Sequence, residues 1–224
     1  MSSFFIGKNI CIVGGSGVLG GEIARQLLSR GADVCVIARH PDHIAPDLQG
    51  LRSAQSDIRS RDSLQAAFNQ MGGDFDGIVN ACGVVAFGSI DSTPPEIVSE
   101  LMNVNAVGTM NVLALGRDTV KDGGFIVSLT GVAADMNLVG MAGYCASKSA
   151  AHKMMTIAAR EFRSKKITVL DVRAPHTETG LVDRALHGTA PKMPEGLDPV
   201  SVAARILLAL ENGESDLPAE AFTA

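Results

Sequence analysis

Tyr144 and Lys148 stand four residues apart in "YCASK", a spacing that puts a phenol and an ammonium on one face of a helix. That pair suits proton transfer. A phenol has a reference pKa of about 10, and a nearby cation favours its ionised form. Such a pair serves a reaction in which a carbonyl oxygen gains or loses a proton as its carbon gains or loses hydride. Asn105 stands within "NVNAVG" on the preceding helical stretch.

A second set of residues suits a phosphate ligand. "GGSGVLG" follows an apolar run and opens a helical one, and Gly14, Gly17 and Gly20 permit a tight turn and a close approach of backbone to a pyrophosphate. Ser16, Val18 and Leu19 belong to the same turn. The free N–H groups of the helix start would then face the anion. The next strand-like run ends "CVIARH", with Arg39 where an acid would accept bonds from a ribose 2′-hydroxyl. A guanidinium fits a 2′-phosphate instead, so NADP(H) is favoured over NAD(H). The alternative is that Arg39 is a solvated strand-end cation.

These residues need elements to position them. "KNICIVGG", "ADVCVIAR", "FDGIVNACG", "GFIVSLT" and "ITVLDVRA" are short, nearly continuous apolar runs rich in β-branched residues, and helical stretches alternate with them. One of these, "DSLQAAFNQM", has Asp62 or Ser63 as its expected start. "PPEIVSELMNVNAVGTMNVLALG" is expected as one long helix. The alternation predicts an α/β fold: a doubly wound parallel sheet of Rossmann type covered on both faces. At 224 residues, a single domain over 1–224 suffices. Residues 176–198, rich in Gly and Pro, resist assignment and are expected to form a substrate lid, or else an irregular surface segment.

Composition narrows the function. A formal charge of −5 argues against a nucleic-acid face, which needs a basic stripe. No apolar run approaches the ~20 residues of a membrane span, and the N-terminal residues lack a signal-peptide pattern. Cys11, Cys35, Cys82 and Cys145 lack metal-ligand spacing, and a cytoplasmic chain is expected.

With these motifs in order, the chain resembles the short-chain dehydrogenase/reductase family over nearly its whole length. "GGSGVLG" matches the glycine loop, and "SDI" resembles the pair that binds the adenine ring, implicating Asp57 and Ile58. "VNACG" resembles the family's N-N-A-G, which implies that Asn80, Ala81 and Gly83 line the adenosine ribose. "NVNAVG" and "YCASK" supply the family's asparagine and its Y-x-x-x-K pair, which implies that Asn105 holds a water extending the proton path and that Lys148 also bonds the nicotinamide ribose. "ITVLDVRAPHTET" aligns with a segment ending P-G-x-x-x-T; Ala174-Pro175 replaces Pro-Gly, and Thr177 and Thr179 would hold the nicotinamide carboxamide.

The resemblance also exposes a gap. The family's active-site serine, thirteen residues before the tyrosine, falls on Gly131. Thr130 is the nearest hydroxyl, and serves only if the strand ends early or bulges, because strand neighbours face opposite ways. Otherwise the donor comes from His176 or Thr177, or the site works without one. Two readings follow. One is an NADP(H)-dependent oxidoreductase interconverting a carbonyl and a secondary alcohol, Tyr144 being the acid/base and Lys148 lowering its pKa. The other is a non-redox dinucleotide sensor or interaction protein on the same fold. Leu138, Val139, Met141, Leu181 and Leu186 suggest an apolar substrate. His152 is expected as a packing or subunit-contact residue. The resemblance implies a homodimer or homotetramer through the helices near Pro94 and Tyr144. It also points to a final strand, in "ESDLPAEAFTA", that is short or missing.

Overall fold

The computed structural model describes residues 4–222. Seven strands form one sheet: β1 (Asn9–Val13), β2 (Asp33–Ala38), β3 (Arg52–Gln55), β4 (Phe75–Asn80), β5 (Val120–Leu129), β6 (Thr168–Val172) and β7 (Asp216–Leu217). Every pairing is parallel, and the order is β3-β2-β1-β4-β5-β6-β7. The expected Rossmann-type doubly wound sheet is therefore what forms.

Alternation along β1 shows how the sheet is covered. Ile10 and Ile12 face one core, with α1 (Val18–Ser29) and α6 (Pro199–Glu211) packed over it through Ile23, Leu27, Ile206 and Leu207. Cys11 and Val13 face the other core, beneath α2 (Arg61–Gln70), α4 (Gly108–Thr119) and α5 (Ala142–Glu161). Each fully buried Leu, Ile or Phe contributes roughly 1.5–3 kcal/mol, so both faces are anchored by burial rather than by helix propensity.

Local chemistry sets several boundaries. Pro199 begins α6 one residue after Asp198, whose carboxylate accepts from the Val200 and Ser201 N–H groups. Ser60 caps α2 by accepting from Ser63 N–H, so the helix starts at Arg61 and not at Asp62 or Ser63. The long helix is interrupted: α3 (Pro95–Leu101) runs into a π-helical segment, Met102–Val107, before α4. Sequence reading missed β3, whose "RSAQ" has only Ala54 buried and shows no apolar run. It anticipated the stunted last strand; β7 is two residues long.

Strand order reverses between β1 and β4. A crevice opens beyond their carboxyl ends, where open α/β sheets bind ligands. The site lies there.

Candidate active site

The turn after β1 is built on glycine. Gly14 has φ +91°, a conformation that L side chains rarely adopt. A Cβ on Gly20 would lie 2.5 Å from the Gly14 carbonyl, so the start of α1 can approach the turn only without a side chain there. Gly17, Val18 and Leu19 line a cavity of about 280 Å³ at the crevice. Gly14 and Ser16 shape the turn behind them.

Ala81 and Gly83, just past β4, line the same cavity. Asn80 does not. It is buried, donating to Thr109 Oγ1 (3.2 Å) and Ser128 Oγ (3.1 Å) and accepting from Cys82 N–H (3.2 Å). It braces the loop from below rather than lining a ribose site. Arg39 is exposed at the end of β2, and the rings of His40 and His43, just beyond it in sequence, lie tilted to each other with their centres 5.2 Å apart. Asp57 is held below the usual carboxylate range by hydrogen bonds from Arg59. Ile58 is buried against Gly108 of α4, where an added Cβ would come within 3.0 Å of it.

Tyr144 and Lys148 project from α5 into the cavity, and His176, Thr177 and Thr179, at the start of the 176–198 segment, line it as well. Lys148 is buried, and its Nζ donates to the Leu129 carbonyl at 2.9 Å. Burial pushes its pKa down to about 8. Burial likewise pushes the Tyr144 phenol up to about 12. The expectation that Lys148 lowers the tyrosine is thus corrected for this state. The ammonium is turned to the end of β5, 5.9 Å from the centre of the phenol ring, and desolvation dominates.

Asn105 lies in the π-helical segment, a distortion frequent at functional sites. Its amide donates to the Val84 carbonyl (2.9 Å) and to Ser147 Oγ (3.0 Å), while Oδ1 accepts from Val84 N–H (3.0 Å). A water can be held only by the second lone pair of Oδ1. The asparagine chiefly fixes the loop carrying Gly83, directly above Lys148: a Cβ on Gly83 would meet the lysine Nζ at 3.3 Å.

Thr130 does not take the serine's place. Its side chain is buried, and its hydroxyl donates to Asp171 Oδ1 at 2.5 Å, away from the cavity. The strand ends at Leu129, one residue before Thr130, yet the side chain still turns inward because the Asp171 carboxylate and the Val172 carbonyl (3.3 Å) take its hydroxyl. Gly131 does line the cavity, at φ +79° and ψ 160°. That region is essentially confined to glycine, so a serine would be strained although a Cβ would have space.

The apolar wall also differs in part from expectation. Leu138, Met141 and Leu181 line the cavity. Val139 is fully exposed, at a second groove outside this cavity, and Leu186 is partly exposed. Sequence reading missed Val85 and Phe87, which line the cavity. They also bind the 176–198 segment: Leu186 N–H donates to the Val85 carbonyl (2.9 Å) and Phe87 N–H to the His187 carbonyl (2.8 Å). No side-chain pattern signals such backbone bonds. Also missed were Asp171 and Arg173, two charges in the otherwise apolar "ITVLDVRA", a signal that was legible. His152 pairs with Asp171.

Residues 8–189 match the family model described as short chain dehydrogenase. The chain belongs to the short-chain dehydrogenase family. Among its relatives, carbonyl reductase family member 4 of Xenopus tropicalis is 29% identical over 218 residues, 92% of each chain. Hydroxynaphthalene reductase arp2 of Aspergillus fumigatus is 26% identical over 174 residues, covering 73% of this chain and 64% of that protein. In fold, a short chain dehydrogenase from Burkholderia cenocepacia, solved in complex with NADP, superposes with a TM-score of 0.84. It is 24% identical, and the match covers 97% of this chain and 90% of that one. Among the described residues there is no cluster that could hold a metal and no helix long and apolar enough to cross a membrane.

Proposed function

We propose that the chain is an NADP(H)-dependent oxidoreductase that interconverts a carbonyl compound and its secondary alcohol. One observation carries this reading: a single cavity has the glycine turn on one wall and Tyr144 with Lys148 on another. A dinucleotide fits these residues. The turn approaches only because Gly20 lacks a Cβ, and the absent side chain of Gly83 leaves room above Lys148. Gly17, Val18 and Leu19 would hold the pyrophosphate at the N-terminus of α1. Asp57 and Ile58 would border the adenine, Ala81 and Gly83 the ribose, and Thr177 and Thr179 the carboxamide. Arg39 supports the preference for a 2′-phosphate, and the NADP bound by the Burkholderia protein agrees with it.

The bound nicotinamide supplies or takes up the hydride. The protein's part is to position the carbonyl and handle the proton. A phenol pushed up to about 12 is protonated at neutral pH, the form needed to donate to a carbonyl oxygen during reduction. Support for the phenolate left behind would come from the Lys148 ammonium on the same wall, once it leaves the Leu129 carbonyl and turns toward Tyr144. With Thr130 turned inward, no hydroxyl stands where the family's serine would, and the alkoxide relies on Tyr144. Losing such a donor typically costs on the order of 10²–10³ in rate. The lining of Val85, Phe87, Leu138, Met141 and Leu181 favours an apolar carbonyl compound. Val107, Met110 and Ile157 are exposed on the helices expected to pair, which supports a homodimer or homotetramer. A cytoplasmic location belongs to the same proposal.

The reading as a non-redox sensor is favoured by one feature, the glycine-only backbone at Gly131. Titrating NADPH by nicotinamide fluorescence and then offering a panel of ketones and aldehydes separates the two. Binding with turnover supports the oxidoreductase, and tight binding without turnover on any carbonyl supports the sensor. The sequence contains no Trp, so protein emission interferes little.

A further inference from the structure

Beneath the cavity floor lies a charged cluster that the reaction does not use. Asp171 and Arg173 are only 4% and 6% exposed, at the end of a strand that is otherwise apolar. Burying such charges costs several kcal/mol each unless they are paired. Asp171 is fully engaged. Thr130 Oγ1 donates to its Oδ1 at 2.5 Å, Arg173 Nη1 donates to its Oδ2 at 2.9 Å, and His152 Nδ1 contacts the same oxygen. Arg173 continues to Asp216 on β7 through two bonds of 2.6 and 3.1 Å. Its Nε lies 2.5 Å from Asp135 Oδ2, an ion pair out of line for a hydrogen bond.

The two partners of Asp171 outside its own strand are informative. His152 sits on α5 one helical turn beyond Lys148. Thr130 lies between Leu129, whose carbonyl accepts from Lys148, and Gly131, which lines the cavity. One carboxylate therefore holds both the helix that carries the lysine and the strand end that receives its ammonium.

We infer that Asp171 is a positioning residue for the proton-transfer pair, holding Lys148 and the Leu129 carbonyl in register by gripping His152 and Thr130 at once. The inference rests on the reading of Tyr144 and Lys148 as that pair. It also gives the inward turn of Thr130 a purpose: the hydroxyl anchors the strand end rather than touching substrate. The negative charge of Asp171 acts on Lys148 as well, opposing the downward push of burial.

The test uses the full chain with Thr130→Val, which keeps the shape and removes the donor, and Thr130→Ser, which keeps the donor. Asp171→Asn is the third variant. Lys148 ionisation is followed by NMR of isotope-labelled lysines, its signal identified as the one lost in Lys148→Met. NADPH affinity is followed by nicotinamide fluorescence. Thr130→Val and Asp171→Asn are expected to lower the Lys148 titration by about one pH unit and weaken NADPH roughly fivefold to tenfold, with Thr130→Ser holding both at wild type. A lowered thermal midpoint in Thr130→Val with both readouts unmoved would overturn the inference and leave a structural brace. An equal change in Thr130→Ser would overturn it too. If Asp171→Asn does not fold, the Thr130 pair decides alone. The lysine titration needs no substrate, so its outcome is independent of whether the chain reduces a carbonyl, which Tyr144→Phe tests separately.

Discussion

The two halves of the crevice are built by different means. On the β1–β2–β4 side, the turn is held by backbone bonds, Gly14 N–H to the Ile37 carbonyl (2.7 Å) and Ala81 N–H to the Val13 carbonyl (2.8 Å), with missing Cβ atoms making room and the neutral amides of Asn80 and Asn105 bracing the loop after β4. On the β5–β6 side, shape is held by side-chain charge, through Asp171, Arg173 and His152, around a strand end that lacks the family's serine. The first half recognises a dinucleotide whose shape does not vary. The second half holds the proposed proton-transfer pair, and there buried charges fix the strand end beside Gly131.

Substitutions can break this contrast, and the largest effect belongs to the chemistry. Tyr144→Phe is expected to reduce turnover by about 10²–10⁴-fold, the usual contribution of a general acid. NADPH affinity, read by nicotinamide fluorescence, should stay within about twofold. Equal loss of both would mean that the two halves are not separable.

On the cofactor side, Arg39→Ala should weaken NADPH by roughly 10–100-fold, the worth of a charge-assisted contact, while leaving NADH nearly unchanged. Parallel losses for both cofactors would assign Arg39 to solvent.

The pH profile probes the substrate side. Lys148 titrates near 8 and loses its charge as pH rises through that value. Without the ammonium the phenolate formed on reduction is unsupported, so kcat/KM for reduction should fall up to about tenfold per unit above that pH. Tyr144, at about 12, stays protonated across this window and does not set the limb. A flat profile from pH 7 to 10 would remove Lys148 from the mechanism.

Gly131→Ser sharpens the comparison by the smallest margin. At φ +79° a serine is strained by about 1–3 kcal/mol, so the thermal midpoint should drop by a few degrees without a gain in turnover. A hundredfold gain would show that a hydroxyl had simply been lost.

The same contrast explains what could be read in the sequence. Glycine spacing, the apolar strands and Y-x-x-x-K are local patterns with a physical cause inside a few residues, and they located the sheet, the turn and the helix that carries the pair. Thr130 and Asn80 were misplaced because which face a side chain takes depends on register against strands distant in sequence. The pKa of Tyr144 was misjudged for a related reason: helix spacing brings Lys148 near, but the Leu129 carbonyl, nineteen residues away in sequence, decides where its ammonium goes. The short β3 failed to announce itself because only one of its residues is buried.

Two main-chain bonds tie Leu186 and His187 of the 176–198 segment to Val85 and Phe87. If residues 176–198 act as the expected lid, a product leaving over that rim ruptures both bonds, and the next molecule is enclosed only after they re-form. Where such opening is slower than hydride transfer, the first turnover outruns those that follow, and a pre-steady-state burst becomes the kinetic signature of this rim.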